Sequence, residues 1–267
     1  MLRCLFRTAW VAWELGSASI RWCLLAARPP KSTETHWQAV WTQQVARRLL
    51  TAMDVEWQAR GARPQRGLLV CNHLSYLDIL VIAAVAPAVF VAKSDVRRWP
   101  VFGWLTRMAG TVFVDRGNRL DVRRVNGQVQ QALNRDALVV IFPEGTSSGG
   151  DSVLPFHSSL LAPVVGTPHP VTVAYLRYEL AEGSVEQEVC YWGDMVFGPH
   201  LLNLLGKRGI RAELVMHRWR GRPGPDRKGL ARELREQMLQ ISSTSPNSRP
   251  LRQAAPRPVS LVRLAGN

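Results

Sequence analysis

Apolar positions along this chain recur with two different periods, and the change of period outlines the architecture. In residues 1–28 the charges Arg7, Glu14, Arg21 and Arg28 return every seven residues. At about 100° per residue they fall, with Ser17, on one stripe roughly 80° wide, and most of the remaining circumference is apolar. Pro29 and Pro30 stop that helix. A second amphipathic helix is expected from about Glu34 to Met53, with Trp37, Val40, Trp41, Val45, Leu49 and Met53 on one side.

Beyond Met53 the apolar runs shorten to strand length. They predict strands at Val55–Arg60, Leu68–Cys71, Val89–Ala92, Thr111–Val114, Leu138–Phe142, Val171–Tyr175, Val189–Trp192 and Ile210–Met216. Helical patterns lie between several of them, at Ile79–Val85, Val101–Met108, Leu120–Leu133, Ser158–Val165, His200–Leu205 and Arg227–Ile241. GARPQRG, 61–67, reads as a hairpin-like turn between the first two strands. Strands alternating with helices predict an α/β fold. Its central sheet should be mixed, largely parallel and flanked by helices, with the amphipathic helical pair in front. The chain then divides into helices at 1–53, a domain at 54–241 and a tail at 242–267. The tail is rich in Ser, Pro and Arg and is expected to be disordered and basic.

Composition adds one strong feature. The 267 residues carry 34 Lys+Arg against 20 Asp+Glu, a formal net charge of +14, which points to a polyanionic partner. Nucleic acid is one such class, but no recognition module with interleaved basic and stacking aromatic residues is present. An anionic membrane surface fits better, given ten tryptophans and the wide apolar face of the first helix. Its charges interrupt the run too often for a spanning helix, and Glu14 spoils a signal-peptide centre. Such a helix should lie in the interface with its arginines snorkelling. Cys4, Cys23, Cys71 and Cys190 are scattered and read as reduced, mostly buried thiols in a cytosol-facing protein.

Three polar clusters carry the candidate chemistry. In CNHLSYLD, 71–78, Ser75 and Asp78 have capping-box spacing before an apolar run. The same stretch allows a dyad: with His73 in the loop and Asp78 in the first helical turn, the carboxylate can orient the imidazole as a general base. No serine or cysteine is presented as a nucleophile, so the base would act on a substrate hydroxyl. TVFVDRGNR, 111–119, ends a strand at Asp115-Arg116-Gly117. VVIFPEGTSSGG, 139–150, runs a strand into Glu144-Gly145-Thr146-Ser147, where a phosphate can meet Thr146, nearby N–H groups and Arg116.

Together the clusters resemble the motif series of the glycerolipid acyltransferases, the family of 1-acylglycerol-3-phosphate acyltransferases. The ordered set is Asn72-His73-x4-Asp78, then Gly110 to Arg116, then Phe142-Pro-Glu144-Gly145-Thr146-Ser147. Ala92-Lys93-Ser-Asp95, Pro100 to Trp104 and His169-Pro170-Val171 look like further blocks, so the likeness covers roughly 55–220. It implies that His73 is the base and Asp78 its orienting partner. It places Arg116, Glu144, Gly145, Thr146 and Ser147 around the acceptor's polar head, Lys93 nearby, and Pro170 in the wall of the acyl channel. It implies no metal or cofactor, with acyl-CoA or acyl-carrier protein as co-substrate and a lysolipid as acceptor. The implied location is the cytoplasmic face of the inner membrane. Ser147 stands where many lysophosphatidate-using members carry arginine, and Lys93-Ser-Asp95 replaces their Lys-x-Glu. The reading places 1-acylglycerol-3-phosphate first as acceptor and a lyso-ornithine lipid as the alternative. A non-catalytic basic membrane adaptor remains the rival of another class.

Overall fold

The computed structural model describes residues 2–27, 34–98, 102–115, 117–221 and 226–244. Helices α1 (Leu2–Ala27) and α2 (Glu34–Ala52) precede strand β1 (Val55–Arg60). Then follow β2 (Gly67–Cys71), α3 (Leu77–Val85), β3 (Val89–Lys93), α4 (Phe102–Met108), β4 (Val112–Val114) and α5 (Arg119–Asn134). The second half holds β5 (Leu138–Ile141), a 3₁₀ turn at Ser158–Val164, and β6 (Val171–Glu179). It ends with α6 (Val185–Glu188), α7 (Phe197–Gly206), β7 (Ile210–Arg218) and α8 (Arg227–Thr244).

The seven strands form one sheet in the order β1-β7-β6-β2-β5-β3-β4. β7 runs antiparallel to β6 and β1 follows β7, while the other strands are mutually parallel. The mixed, largely parallel sheet and the leading helical pair are as expected from the pattern. The central strands are apolar throughout because both faces are covered. Leu69, Cys71 and Val140 face the core under α1, α2, α3 and α7, and Leu68, Val70, Val139 and Ile141 face the core under α5 and α8.

Four expectations need correction. β1 and β2 are not a hairpin, because β1 lies at the sheet edge beside β7 and residues 61–67 carry the chain past β7 and β6 to the centre. Val189–Trp192 is no strand; Tyr191 N–H donates to the Leu74 carbonyl at 2.8 Å within a loop pairing. β6 runs four residues further than its apolar start implied, to Glu179, with Arg177 and Glu179 on its polar side. Of the cysteines, only Cys71 and Cys190 are buried, while Cys4 is half-buried and Cys23 exposed. Residues 245–267 of the expected tail lie outside the described residues, and α8 extends to Thr244.

The first helix is amphipathic with its apolar face outward, as expected, but its arginines do not snorkel. Its charged stripe turns inward. Arg3 donates to the Gly206 carbonyl, and Arg7 reaches the carbonyls of Leu205 and Lys207 and the Asp54 carboxylate. These carbonyls close the C-terminus of α7, where a cation meets the negative end of the helix dipole. Glu14 lies between Arg21 and Arg48. Everything α1 exposes is uncharged, including Leu2, Leu5, Phe6, Trp13, Ile20 and Leu24. At ~1.5 Å per residue this helix is about 40 Å long. Among the described residues no helix is long and apolar enough to cross a membrane.

Candidate active site

β2 ends at Cys71, and the next seven residues build the site at the carboxyl ends of the parallel strands, between β5 and β6. Asn72 locks the start of this loop to β6. Its amide donates to the Leu176 carbonyl at 2.9 Å and accepts from Leu176 N–H at 2.7 Å, continuing the ladder with a side chain. From the other side, Ser148 N–H donates to the His73 carbonyl at 3.0 Å. The loop is held on both sides before any substrate arrives.

His73 and Asp78 meet as the dyad reading requires. Nδ1 of His73 lies 2.7 Å from Asp78 Oδ2, and the ring stacks on Phe142 with centroids 4.1 Å apart. Asp78 has no exposed surface. Its Oδ2 also accepts Leu74 N–H at 2.6 Å and Ser75 N–H at 3.0 Å, and its Oδ1 accepts the Tyr178 hydroxyl at 2.7 Å. With these donors converging on it the group acts as an acceptor-only carboxylate, so Nδ1 of His73 carries the proton and Nε2 keeps a lone pair. The capping function is there as well: Asp78 reaches back to Ser75 N–H, but Ser75 Oγ is buried with no partner among the described residues, so only one half of a capping box forms.

A cavity of about 450 Å³ opens beside the ring of His73. Trp41, Val45, Ala46 and Leu49 of α2, Phe90 of β3, and Leu105 and Ala109 give it an apolar wall. Its polar end is formed by Lys93, Gly145, Thr146, Ser147, Tyr76 and Tyr191. Gly145 takes φ +81°, a left-handed turn that folds the chain back after β5, with its N–H on the Phe142 carbonyl at 3.2 Å. Thr146 presents an exposed side chain. Ser147 Oγ is committed to the Tyr191 carbonyl at 2.6 Å. Lys93 sits at the rim in an ion pair with Asp95 at 2.5 Å.

Glu144 is not part of that polar end. It is buried, with Oε1 accepting His73 N–H at 3.2 Å and Oε2 accepting Leu154 N–H at 3.3 Å. Burial pushes its carboxyl up to about 7 against the pull of these two N–H groups, and the nearby Asp78 charge adds to the rise. Its geometry makes it a brace for the His73 backbone. Pro170 is also displaced from its expected place. Its carbonyl accepts Leu68 N–H at 2.9 Å, at the start of β2 and β6, which is the end of the sheet opposite His73. There Gly67, at φ +93°, leaves room: a Cβ would stand 2.2 Å from the Pro170 oxygen. Arg116 lies outside the described residues, while its neighbours form a turn in which Gly117 N–H donates to Asp115 Oδ1 at 3.0 Å.

Sequence reasoning missed three participants. Tyr178 and Leu176 lie on the unrecognised end of β6, where their alternation with Ala174 was the available signal. Tyr76, inside the quoted motif, donates to His200 Nδ1 at 3.1 Å while His200 Nε2–H donates to the Cys190 carbonyl at 2.9 Å. This network and the edge-on Phe197 ring, 5.1 Å from Tyr76, fix one wall of the cavity.

Comparison with known proteins identifies the family. The sequence profile of the family described as Acyltransferase matches residues 53–175, which include both the dyad and the Glu144 turn. The lyso-ornithine lipid O-acyltransferase of Pseudomonas aeruginosa is 35% identical over 245 residues, covering 88% of this chain and 92% of the relative. The 1-acyl-sn-glycerol-3-phosphate acyltransferase of Neisseria meningitidis serogroup B is 36% identical over 138 residues, 51% of this chain and 54% of the relative. In fold, the chain is similar to the crystal structure of the 1-acyl-sn-glycerophosphate acyltransferase PlsC from Thermotoga maritima. The TM-score is 0.64 at 17% identity, with 93% of this chain and 97% of that one covered. The chain belongs to the acyltransferase family and is an O-acyltransferase.

Proposed function

We propose that the protein transfers a fatty acyl group from a thioester donor to the free hydroxyl of a lysolipid at a membrane surface. Nε2 of His73 takes the hydroxyl proton as the oxygen attacks the thioester carbonyl. The tetrahedral intermediate then collapses, the C–S bond breaks, and the thiolate takes the proton from the imidazolium. Asp78 holds the imidazole tautomer and favours the imidazolium, the part an aspartate plays in a serine-protease triad. The observation that carries this reading is the juxtaposition of the His73–Asp78 pair with an apolar cavity closed by Trp41, Val45, Leu49 and Leu105. An acyl chain fits such a wall, and a polar acceptor head fits the Gly145–Ser147 rim.

A lyso-ornithine lipid is the acceptor favoured by the rim. At the position after Glu144-Gly145-Thr146 the side chain is a serine whose hydroxyl is turned onto the Tyr191 carbonyl. Among the described residues of the cavity wall the cation is Lys93, and it is paired with Asp95. An ornithine head, with one ammonium and one carboxylate, asks less of the rim than a phosphate monoester. The Pseudomonas relative, matched over far more of this chain than the Neisseria one, supports the same order. Lysophosphatidate is the second reading, favoured by Lys93 at the rim and by the Neisseria relative.

The membrane part rests on α1, whose exposed side is apolar along its length. Such a helix lies in the headgroup region, and the charge of +14 attracts an anionic leaflet. Four free cysteines are in keeping with the cytoplasmic face of the inner membrane.

The test is acyl transfer by the full chain on vesicles, with acyl-CoA and acyl-carrier protein each offered lyso-ornithine lipid and lysophosphatidate. We expect diacyl product from lyso-ornithine lipid, reduced roughly 10²–10⁴-fold in His73→Ala. Product from lysophosphatidate alone would reverse the acceptor order. Equal activity in His73→Ala would end the dyad reading, and vesicle binding without product from any pair would point to a different acceptor.

A further inference from the structure

The loop that carries His73 and Asp78 is anchored to β6 at two points. One is the Asn72–Leu176 pair, and the other is the Tyr178 hydroxyl on Asp78 Oδ1. Their roles differ. Asn72 fixes the backbone, whereas Tyr178 touches the carboxylate itself. We propose that Tyr178 is the positioning residue of the acyl-transfer dyad, acting through Asp78 by holding its carboxylate in the plane that Nδ1 of His73 needs.

The argument is one of donors and acceptors. Asp78 Oδ2 takes His73 Nδ1–H and the two loop N–H groups, so that oxygen is saturated. Oδ1 has the Tyr178 hydroxyl, and the residue has no exposed surface through which water could replace it. Without this hydroxyl a charged oxygen would stay buried with one donor fewer, which is costly, and the carboxylate could turn about its Cβ–Cγ bond. Tyr178 has no other assignment in the chemistry. It is buried, it does not line the cavity, and burial together with the Asp78 charge pushes its phenol well above the ordinary range, so it stays a neutral donor.

Among the described residues, Cys71, Cys190 and Glu144 also interact electrostatically with Asp78. Cys71 under the loop and Cys190 beside it are both pushed up by burial, Cys190 to about 12, and remain thiols. Glu144, braced on the His73 backbone and within reach of the Arg235 charge, is pushed up to about 7. Cys71, Cys190 and Tyr178 therefore stay uncharged near neutral pH, while Glu144 changes charge there. The Tyr178 donor stabilises the dyad more when its net charge is −1 than when the imidazole is protonated and the net charge is zero. Removing it raises the dyad's affinity for a proton.

This inference rests on the dyad reading, which His73→Ala tests separately. The experiment is Tyr178→Phe, which deletes one oxygen at nearly constant volume. Tyr178→Met repeats the deletion if the Phe variant melts early. We expect kcat/KM at neutral pH to fall about tenfold with the KM of both substrates little changed, because one hydrogen bond to a charged group is lost. The acid limb of the pH profile should move up by about half to one unit, so that much of the loss disappears at alkaline pH. The ¹⁵N NMR titration of the His73 ring should move with it, which separates the dyad from Glu144 and needs no substrate. A folded variant whose acid limb and His73 titration stay where they are would overturn the proposal. So would a loss of the same size at every pH, which marks Tyr178 as packing alone.

Discussion

Glu144 is a carboxylate placed where water does not reach, and its environment pulls in two directions. Desolvation favours the acid form, while His73 N–H and Leu154 N–H favour the anion, and the result is a group near 7. The folded pKa lies above the unfolded value of 4.5, so the folded state binds the extra proton between these limits. The stability this gives is complete below 4.5 and is lost as pH rises through about 7. Melting curves of wild type and Glu144→Gln should therefore converge or cross between pH 5 and 8, with the wild type losing ground as pH rises; parallel curves would show that Glu144 does not titrate there. Asp78→Asn makes a different point. The amide oxygen can keep both loop N–H groups, and the Tyr178 hydroxyl can rotate to accept from the amide nitrogen. Fold and cap should survive, while kcat falls by roughly 10²-fold or more because the imidazolium loses its counter-charge. A variant with near-wild-type kcat would remove Asp78 from the chemistry. The sequence could pose this pair of roles because both depend on spacing along one short loop. It could not place Glu144, since a motif says which residues travel together and not which of them faces a cavity.

Helix α1 illustrates how far a pattern reaches at the scale of an element. Seven-residue spacing made its amphipathicity plain, but the period is the same whichever face turns inward. The choice was made by carbonyls far along the chain, at Leu205, Gly206 and Lys207, which needed a cation. Arg7→Ala should cost about 1–2 kcal/mol, because its side chain is buried while its partner Asp54 is over half exposed. Chemical denaturation reads that difference, and an unchanged midpoint would mean that α1 is held by its apolar contacts alone. On the outer side, Leu5→Glu with Trp13→Glu replaces two exposed apolar residues and should leave the melting temperature unaltered. Co-sedimentation with anionic vesicles should drop at least tenfold, given ~1.5–3 kcal/mol per apolar side chain removed from contact with lipid. Undiminished sedimentation would move the membrane contact elsewhere. β6 shows the opposite limit. Arg177 and Glu179 hid the end of a strand whose alternate residues, Leu176 and Tyr178, hold the loop of His73 and Asp78.

Over the whole molecule, function follows from which end of the sheet each loop reaches. β2 lies between β5 and β6, so the loops after β2 and β5 meet at one end, and residues before β6 are carried to the other. Alternating strands and helices made the sheet legible, but strand order was not, which is why Pro170 belongs at the far end and residues 61–67 make no hairpin. The same topology leaves a gap between the sheet and helix α2, and that gap is the apolar part of the cavity. Its size should set the acyl chain the enzyme accepts. Ala46 and Ala109 line it with small side chains, so Ala109→Phe projects a ring into a space of about 450 Å³. At ~0.8 kcal/mol for each methylene that no longer finds an apolar wall, displacing two of them already changes relative rates by about tenfold. Competition between a long and a short acyl donor should shift toward the short one by at least that factor, with the rate on the short donor little altered. If both rates fell together, the ring would be disturbing His73 rather than the chain site, and if neither changed, the acyl chain would lie outside this cavity.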